Sequence, residues 1–413
     1  MDGRSLPALK TAVPGPTSRA WVDRLARREC PAITARRARR AATLGTADTD
    51  PMVWDEALGA NVRDVDGNVF VDLTAGFGAA SVGHRHPRVV AAGRAQLSRL
   101  PHAMGDAFPD PRRIELLERL AAITGLDHSI LGTSGSDAVE AALKTARIAS
   151  GRPGVLAFSG GYHGLSYGAL AATAYKSASF RAPFEEQLGH HVRHAPFGGA
   201  IDLGDAGAVL VEPIQGRGGI RVPPAGWLGD LREACDQAGA VLILDEIYTG
   251  FGRTGSLFAF QAEGLLPDLV CLGKGMAGGA PISACVGRRE IMEAWGASAG
   301  EALHTQTFLG HPPGCAMALA CIQVILETAL PQRAAELGRW FADELAGFGQ
   351  VRGRGLLLGL EVTDSLALSR GLLERGFIAL PAGEQAEVLA LTPPLTVTKE
   401  QLEAFLGALG ELS

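Results

Sequence analysis

Long apolar runs, an excess of positive charge and a signal-like N-terminus are all missing from this chain. No stretch of the 413 residues approaches about eighteen uninterrupted apolar positions, so no transmembrane helix is expected. The formal net charge of −6 offers no global attraction to nucleic acid or to a membrane. The N-terminal segment lacks the apolar core of a signal peptide. These absences favour a globular protein without nucleic-acid or membrane partners.

Cysteine pairs at metal-binding spacing are missing as well. The six cysteines include no CxxC pattern, so we expect reduced thiols, no metal site and a cytoplasmic location. The basic run Arg36–Arg40 could bind a polyanion, although in an acidic chain it more often marks a solvated N-terminal arm. Hydrophobic residues make up 47% of the chain and charged residues 20%, as in an ordinary globular enzyme.

Two apolar runs that end in polar residues are the most informative feature present. The first closes at Asp245 and Glu246, and the second is followed by Lys274. Continuously apolar strands are typical of a parallel sheet covered on both faces, and ligands bind outside the carboxyl ends of such strands. A lysine and a carboxylate delivered there suit pyridoxal phosphate, which needs an amine for a Schiff base and an acid beside its ring nitrogen. Taken alone, the pair fits equally well a metal site formed by the carboxylates and a lysine that is simply solvated.

A run of small residues before a helical pattern predicts a phosphate cradle. Gly132–Asp137 precedes the alanine-rich stretch Ala138–Arg147, which has high helix propensity. Small residues let backbone N–H groups approach an anion, and a helix N-terminus favours negative charge. Ser134 or Ser136 could instead be an ordinary N-cap. The GxxxxGK[ST] pattern is absent, which disfavours a P-loop.

Several further motifs follow one another in a fixed order. They are Asp64–Asn68 with Asp72, Val82–Pro87, Thr133–Glu140, Tyr162–Gly164, Val211–Gly216, Leu244–Gly255, Leu272–Gly275, His304–Phe308 and Thr392–Leu395. With these motifs, the chain from roughly Pro51 to Leu409 resembles the class III, fold-type-I aminotransferases that use pyridoxal phosphate. Each motif alone would be a weak signal.

The resemblance implies a role for each matching residue. Lys274 would hold the cofactor as a Schiff base and then shuttle the substrate proton, and Asp245 would pair with the ring nitrogen. Gly135 and Ser136 would bind the phosphate. Thr307 would reach the phosphate of the neighbouring subunit, which implies a homodimer with shared active sites.

The remaining cofactor contacts are also implied by the resemblance. Tyr162 and Ile247 would cover the two faces of the ring, although plain core packing is a real alternative for both. His163 belongs to the same turn as Tyr162 and is a candidate cofactor-binding residue. Tyr248 stands where relatives often have a glutamine beside the ring hydroxyl, and its phenol could also donate a hydrogen bond.

The departures from the family pattern concern the substrate. Leu165 and Ala390 stand where many relatives have arginines that bind a substrate carboxylate or pair with a glutamate. Arg217 offers a replacement, because a guanidinium can grip a carboxylate with two hydrogen bonds. The alternative is that Arg217 only neutralises Glu212, which we also place on the substrate side.

The fold implied is α/β, with a large domain built on a mostly parallel seven-stranded sheet flanked by helices and a smaller α+β domain from the two chain ends. We expect an N-terminal arm over 1–60, the cofactor domain over 61–310 and the small domain over 311–413. Local patterns predict a β-hairpin with its turn at Asp66-Gly67, a helix over Pro313–Leu330, a strand over Leu356–Glu361 and a helix after Thr398.

The function implied is the transfer of an amino group between an amino acid or amine, with the amino group at the alpha or omega position, and a 2-oxo acid. A racemase, epimerase or decarboxylase on the same scaffold is an alternative that motifs do not separate. A non-catalytic protein that binds pyridoxal phosphate is a third possibility, and the presence of both Lys274 and Asp245 argues against it.

Overall fold

The computed structural model describes residues 2–31, 33, 51–298 and 300–412, and the basic run at 36–40 lies outside them. The strands in this part of the chain are β1 Trp54–Leu58, β2 Asn61–Asp64, β3 Val69–Asp72, β4 His128–Gly132, β5 Val155–Phe158, β6 Val192–Ala195, β7 Ala208–Val211, β8 Val241–Asp245, β9 Leu269–Leu272, β10 Ser283–Gly287, β11 Val351–Arg354, β12 Leu357–Glu361, β13 Phe377–Ile378, β14 Leu380–Ala382 and β15 Val388–Leu391. The α-helices of at least six residues are Pro16–Ala26, Pro87–Arg99, Pro111–Thr124, Gly135–Ser150, Tyr167–Ala172, Trp227–Ala238, Pro312–Glu327, Leu330–Leu345, Ser365–Leu373 and Lys399–Gly410.

A seven-stranded sheet forms the centre of the molecule, in the order β4-β10-β9-β8-β7-β5-β6. Strands β5 to β9 pair in parallel, whereas β10 runs antiparallel to both of its neighbours. The predicted, mostly parallel seven-stranded sheet is therefore confirmed. Every residue of β7, β8, β9 and β10 is buried, which explains their continuously apolar sequences.

Side chains of β8 alternate between two separate apolar layers. Val241 and Ile243 pack in a cluster with alanines of the helix Gly135–Ser150. Leu242 and Leu244 point into the larger cluster on the opposite face. Because both faces of the strand are covered, its polar residues can be placed only where the strand ends, and Asp245 occupies that end.

Two four-stranded sheets lie beside the central one. The first has the order β1-β2-β3-β13, so strands from the N-terminal third pair with a strand near the C-terminus. The predicted hairpin turn lies between β2 and β3, where Asp64 accepts the N–H groups of Asp66 and Asn68 and Gly67 has a φ of 84°. The second sheet has the order β11-β12-β15-β14. The domain boundaries stay a prediction.

The helix expected over 313–330 is interrupted. One helix ends at Glu327 and a second begins at Leu330, with Ala329 between them at a φ of 49°. Pro331 in the first turn of the second helix explains the break, because proline cannot continue a preceding helix. The predicted strand and final helix are present, and Thr398 caps the latter through Gln401.

Among the residues the structure describes, no single helix has both the length and the apolar composition to cross a membrane. The helices Pro312–Glu327 and Leu330–Leu345 reach that length and apolar composition only when taken together, and they meet at a bend of 61°.

Candidate active site

The candidate site lies where β8 and β9 end. Asp245 is the last residue of β8, and Lys274 follows β9 by two residues. Lys274 has a φ of 34°, in the left-handed region that non-glycine residues rarely adopt. Such strained backbone persists where the surrounding structure holds it, and it is common at functional sites.

Asp245 is held in place by a buried histidine. Its Oδ2 lies 2.8 Å from Nδ1 of His163, and its Oδ1 accepts the N–H of Ile247 at 3.1 Å. Burial opposes a charge on His163, but the hydrogen bond to Asp245 and the charges of Asp245 and Glu212 together raise the pKa of His163 above its ordinary value. The 2.8 Å contact between the two buried side chains therefore fixes the orientation of the Asp245 carboxylate. The sequence placed His163 in the site without identifying this partnership.

The amine of Lys274 has no hydrogen bond or ion pair within the described residues, and its Nζ lies 4.2 Å from the centre of the Tyr248 ring. Burial lowers the pKa of Lys274, and the charge of Arg217 acts in the same direction, while Asp245 and Glu212 oppose both. A larger share of the amine is therefore neutral and nucleophilic than in an exposed lysine.

Two glycines fix the ring of Tyr248. A Cβ atom added at Gly78 would lie 2.5 Å from the Tyr248 ring, and one added at Gly216 would lie 2.2 Å from it. The hydroxyl of Tyr248 lies 3.0 Å from Oγ1 of Thr392, and burial raises the pKa of the phenol. Only residues without a side chain permit this close packing, so Gly78 and Gly216 position the ring that contacts Lys274.

A left-handed turn delivers Gly78 to the site. All four residues of Ala75–Gly78 have positive φ values, from 48° to 84°. The buried carboxylate of Asp72 holds the turn, since it accepts the N–H groups of Thr74 and Gly76 and lies 2.8 Å from Nε2 of His84. The sequence places Asp72 in a motif but does not predict this turn, for which the two glycines Gly76 and Gly78 are the available signal.

The predicted phosphate cradle is the N-terminus of the helix Gly135–Ser150. Ser134 is its N-cap and forms a capping box with Asp137, so of the two serines considered, Ser134 has the capping role. The hydroxyl of Ser136 accepts the N–H of Leu165 at 3.1 Å. The first N–H groups of a helix have no partner inside it, so those of Gly135 and Ser136 can serve an anion.

Ile247 lies directly beside this cradle. A Cβ atom added at Gly135 would come within 3.0 Å of the Ile247 side chain, and one added at Gly273 would come within 3.5 Å. The structure thus brings Ile247, the helix N-terminus and the strand ends together.

Thr307 is exposed and makes no hydrogen bond to Gly135 or Ser136 of its own chain. The adjacent Gln306 lies closer to the cradle, where its Oε1 accepts the hydroxyl hydrogen of Thr133 at 3.3 Å. An exposed Thr307 next to Phe308, itself 55% exposed, is compatible with the predicted reach into a second subunit, which stays a prediction.

Glu212 is a buried carboxylate that directly follows the last residue of β7. Its two oxygens accept the N–H groups of Tyr162 at 3.0 Å and Gly216 at 3.1 Å. Burial raises the pKa of Glu212 to about 7, with the charge of Asp245 adding to the effect. Within the described chain Arg217 forms no ion pair with Glu212, so direct neutralisation does not explain this arginine.

Comparison with known proteins defines the class of protein. The model of the family "Aminotransferase class-III" matches residues 45–412. The chain belongs to this family, and it is an aminotransferase, an enzyme that moves an amino group between an amino acid and a 2-oxo acid.

Individual relatives agree with this assignment. The chain is 40% identical to the acetylornithine aminotransferase of Methanopyrus kandleri over 380 residues, which covers 89% of this chain and 96% of that protein. The acetylornithine aminotransferase of Methanosarcina mazei is 37% identical over 88% of this chain and 92% of its own length. Among solved structures, the ornithine aminotransferase from Toxoplasma gondii superposes with a TM-score of 0.84 at 29% identity, covering 97% of this chain and 95% of that chain. An amine transaminase from an uncultivated Pseudomonas species, solved in a PLP-bound form, gives a TM-score of 0.81 at 29% identity, with 88% and 94% covered.

Proposed function

We propose that this aminotransferase uses pyridoxal phosphate bound at the site around Lys274. The observation that carries the proposal is the free amine of Lys274, which lies against the Tyr248 ring within reach of the charge of Asp245. The donor set also fits the group: a nucleophilic amine, a buried acid and a helix N-terminus for a phosphate are all present. When bound, pyridoxal phosphate supplies an aldehyde that takes up the amino group and a ring that stores the electron pair released at the substrate carbon.

Holding the cofactor is divided among several residues. The N–H groups of Gly135 and Ser136 would bind the phosphate, and Thr307 of the partner subunit would complete its coordination. Tyr162 and Ile247 would cover the ring and exclude water. The carboxylate of Asp245, oriented by its 2.8 Å hydrogen bond to His163, would keep a proton on the ring nitrogen.

Chemistry at the substrate is assigned to Lys274. Its Nζ would hold the cofactor through the aldehyde group, and the same amine would move the proton at the substrate carbon. Tyr248 keeps this amine in place by packing against it, and its hydroxyl is anchored on Thr392. A hydrogen bond from the phenol to the cofactor stays a prediction.

A panel of amino acids and amines mixed with the loaded enzyme tests the proposal by absorbance. We expect conversion of the cofactor to its amine form, with release of one equivalent of 2-oxo acid. Exchange of the substrate's α-hydrogen for deuterium without release of 2-oxo acid would instead indicate racemisation. Absence of any absorbance change after addition of pyridoxal phosphate would contradict the cofactor assignment.

The proposed assembly is a homodimer in which each site is completed by the other subunit. Exposed apolar side chains support it, since Leu303 is 71% and Phe308 is 55% exposed in the same segment as Thr307. Phe108, 71% exposed, follows Asp106, which accepts the hydroxyl hydrogen of Thr305. A reducing compartment such as the cytoplasm fits the six cysteines, all of which are free.

A further inference from the structure

Three aromatic rings surround the guanidinium of Arg217. Its Cζ lies 4.5 Å from the ring centre of Tyr162, 5.5 Å from that of Tyr175 and 5.9 Å from that of Phe180. The rings also contact one another, with centroid distances of 6.1 to 6.3 Å. We call these three rings and Arg217 the Arg217 cage. Attraction between the cation and the rings orients the guanidinium and reduces its access to water.

The hydrogen-bond donors of Arg217 are unused. Throughout the described residues its guanidinium makes no hydrogen bond and no ion pair, and both oxygens of nearby Glu212 are engaged by backbone N–H groups. The backbone of Arg217 is fixed separately, because its carbonyl accepts the N–H of Gly383 at 3.0 Å. An arginine with its backbone anchored and its charge held against aromatic rings is pre-organised for a planar, two-pronged acceptor.

The Arg217 cage lies next to the reacting amine. A Cβ atom added at Gly216, the residue before Arg217, would lie 2.2 Å from the Tyr248 ring, and the centre of that ring lies 4.2 Å from Nζ of Lys274. Burial is the main cause that lowers the pKa of Lys274, and the charge of Arg217 adds to it in the same direction. Tyr162 connects the cage to the buried carboxylate of Glu212, since its ring contacts Arg217 and its N–H donates to Glu212. Leu165, which is 48% exposed, adds no charge at this side of the site.

We propose that Arg217 binds the single carboxylate of the amino donor and of the 2-oxo acid, so that each substrate carries one carboxylate. This inference rests on the proposed use of pyridoxal phosphate at Lys274. Among the described residues, Arg217 is the arginine that faces the three rings, whereas Arg253, whose charge also acts on Tyr248, already donates to the carbonyls of Leu356 and Pro393. A second carboxylate would therefore lack a matched guanidinium in the Arg217 cage. A dicarboxylic substrate would therefore gain nothing from its additional charge.

Calorimetric binding of amine-free probes to the loaded enzyme tests the inference. The probes are hexanoate, its uncharged match hexanamide, and adipate, which has the same chain length and two carboxylates. We expect hexanoate to bind about ten- to hundredfold more tightly than hexanamide, as loss of hydrogen bonds to a charged group implies, and adipate to bind no more tightly than hexanoate. Arg217→Met should abolish the preference, and Arg217→Lys should retain part of it, because lysine keeps the charge but not the planar fork.

Lys176→Met is the matched control. Lys176 is a second cation beside the cage, with its Nζ 5.4 Å from the Tyr175 ring, and it acts on a ring rather than on the site amine. The preference for hexanoate should survive this change. Its survival in Arg217→Met, or a tighter binding of adipate that is lost in Lys176→Met, would overturn the inference. The absorbance of the loaded enzyme, measured on the same samples, reports whether pyridoxal phosphate is bound. Bound cofactor without the expected preference contradicts the role of Arg217, whereas absence of bound cofactor contradicts the cofactor assignment.

Discussion

Glu246 offers a quantitative test of how burial shapes the sheet end that carries the site. It follows Asp245 directly and is fully buried. Its oxygens accept the hydroxyl hydrogen of Thr249 at 2.6 Å and the N–H of Phe260 at 2.8 Å. No lysine or arginine in the described residues forms an ion pair with it. Burial raises the pKa of Glu246 from an ordinary 4.5 to about 7, and the charge of Asp245 adds to the shift.

The sign of the effect on stability follows from proton counting. Between about pH 4.5 and pH 7 the folded protein holds the Glu246 proton, whereas the unfolded chain has released it. The free energy of unfolding therefore falls as the pH rises through this window. The difference between an ordinary pKa and one of about 7 corresponds to roughly 3 kcal/mol.

Glu246→Gln removes this titration while keeping the size of the side chain. Urea unfolding at a fixed protein and cofactor concentration, repeated from about pH 5 to pH 8, gives the stability difference between variant and parent at each pH. We expect this difference to shift in favour of the variant by up to about 3 kcal/mol as the pH rises. The loss of a hydrogen-bond acceptor in Glu246→Gln lowers stability by an amount that does not depend on pH, so it leaves the slope of the difference unchanged. The titration of Glu212 occurs in both proteins and cancels in the difference.

The exposed Glu344 provides a matched control, because Glu344→Gln removes a carboxylate that water already solvates. Its stability difference from the parent should stay nearly constant over the same pH range. A Glu246→Gln difference that is equally flat would refute the argument that burial, rather than mere removal of charge, produces the pH dependence.

Three further outcomes test the site. Lys274→Ala should still bind cofactor but lose turnover by several orders of magnitude, because the nucleophile and the proton carrier disappear together. Near-normal rates in this variant would contradict the role of Lys274. Asp245→Asn should bind cofactor more weakly and slow substrate deprotonation most; an unchanged rate with an unchanged deuterium isotope effect speaks against the role. Thr307→Ala should weaken cofactor binding in a protein that sediments as a dimer, and a fully active monomer at micromolar concentration would exclude shared sites.

Much of the fold could be predicted from local sequence. Strands β8 and β9 are apolar throughout, and that pattern is sufficient to indicate a covered parallel sheet. The end of each strand then placed Asp245 and Lys274 at one edge. The break near Ala329 was missed, because the residues on both sides of it are helix formers and the decisive Pro331 lies beyond the turn.

Sequence order by itself determined which residues reach the site from the strand ends, since each residue's place on a strand is a local property. Partners distant in the chain were decided only by the tertiary structure. His163 and Asp245 are 82 positions apart, and Tyr248 and Thr392 are 144 apart. The sequence immediately around these four residues does not specify either contact.

The surroundings of Arg217 illustrate the same limit. The glycine-rich sequence around Arg217 does not indicate whether its guanidinium is solvated, forms an ion pair or packs against aromatic rings as a binding site. The choice is made by Tyr162, Tyr175 and Phe180, which come from a separate part of the chain and reach the guanidinium only after packing. The sequence alone determined the scaffold and which candidate residues stand at the strand ends. The tertiary structure decided which groups surround those side chains, because burial and the distances between charges depend on the whole fold.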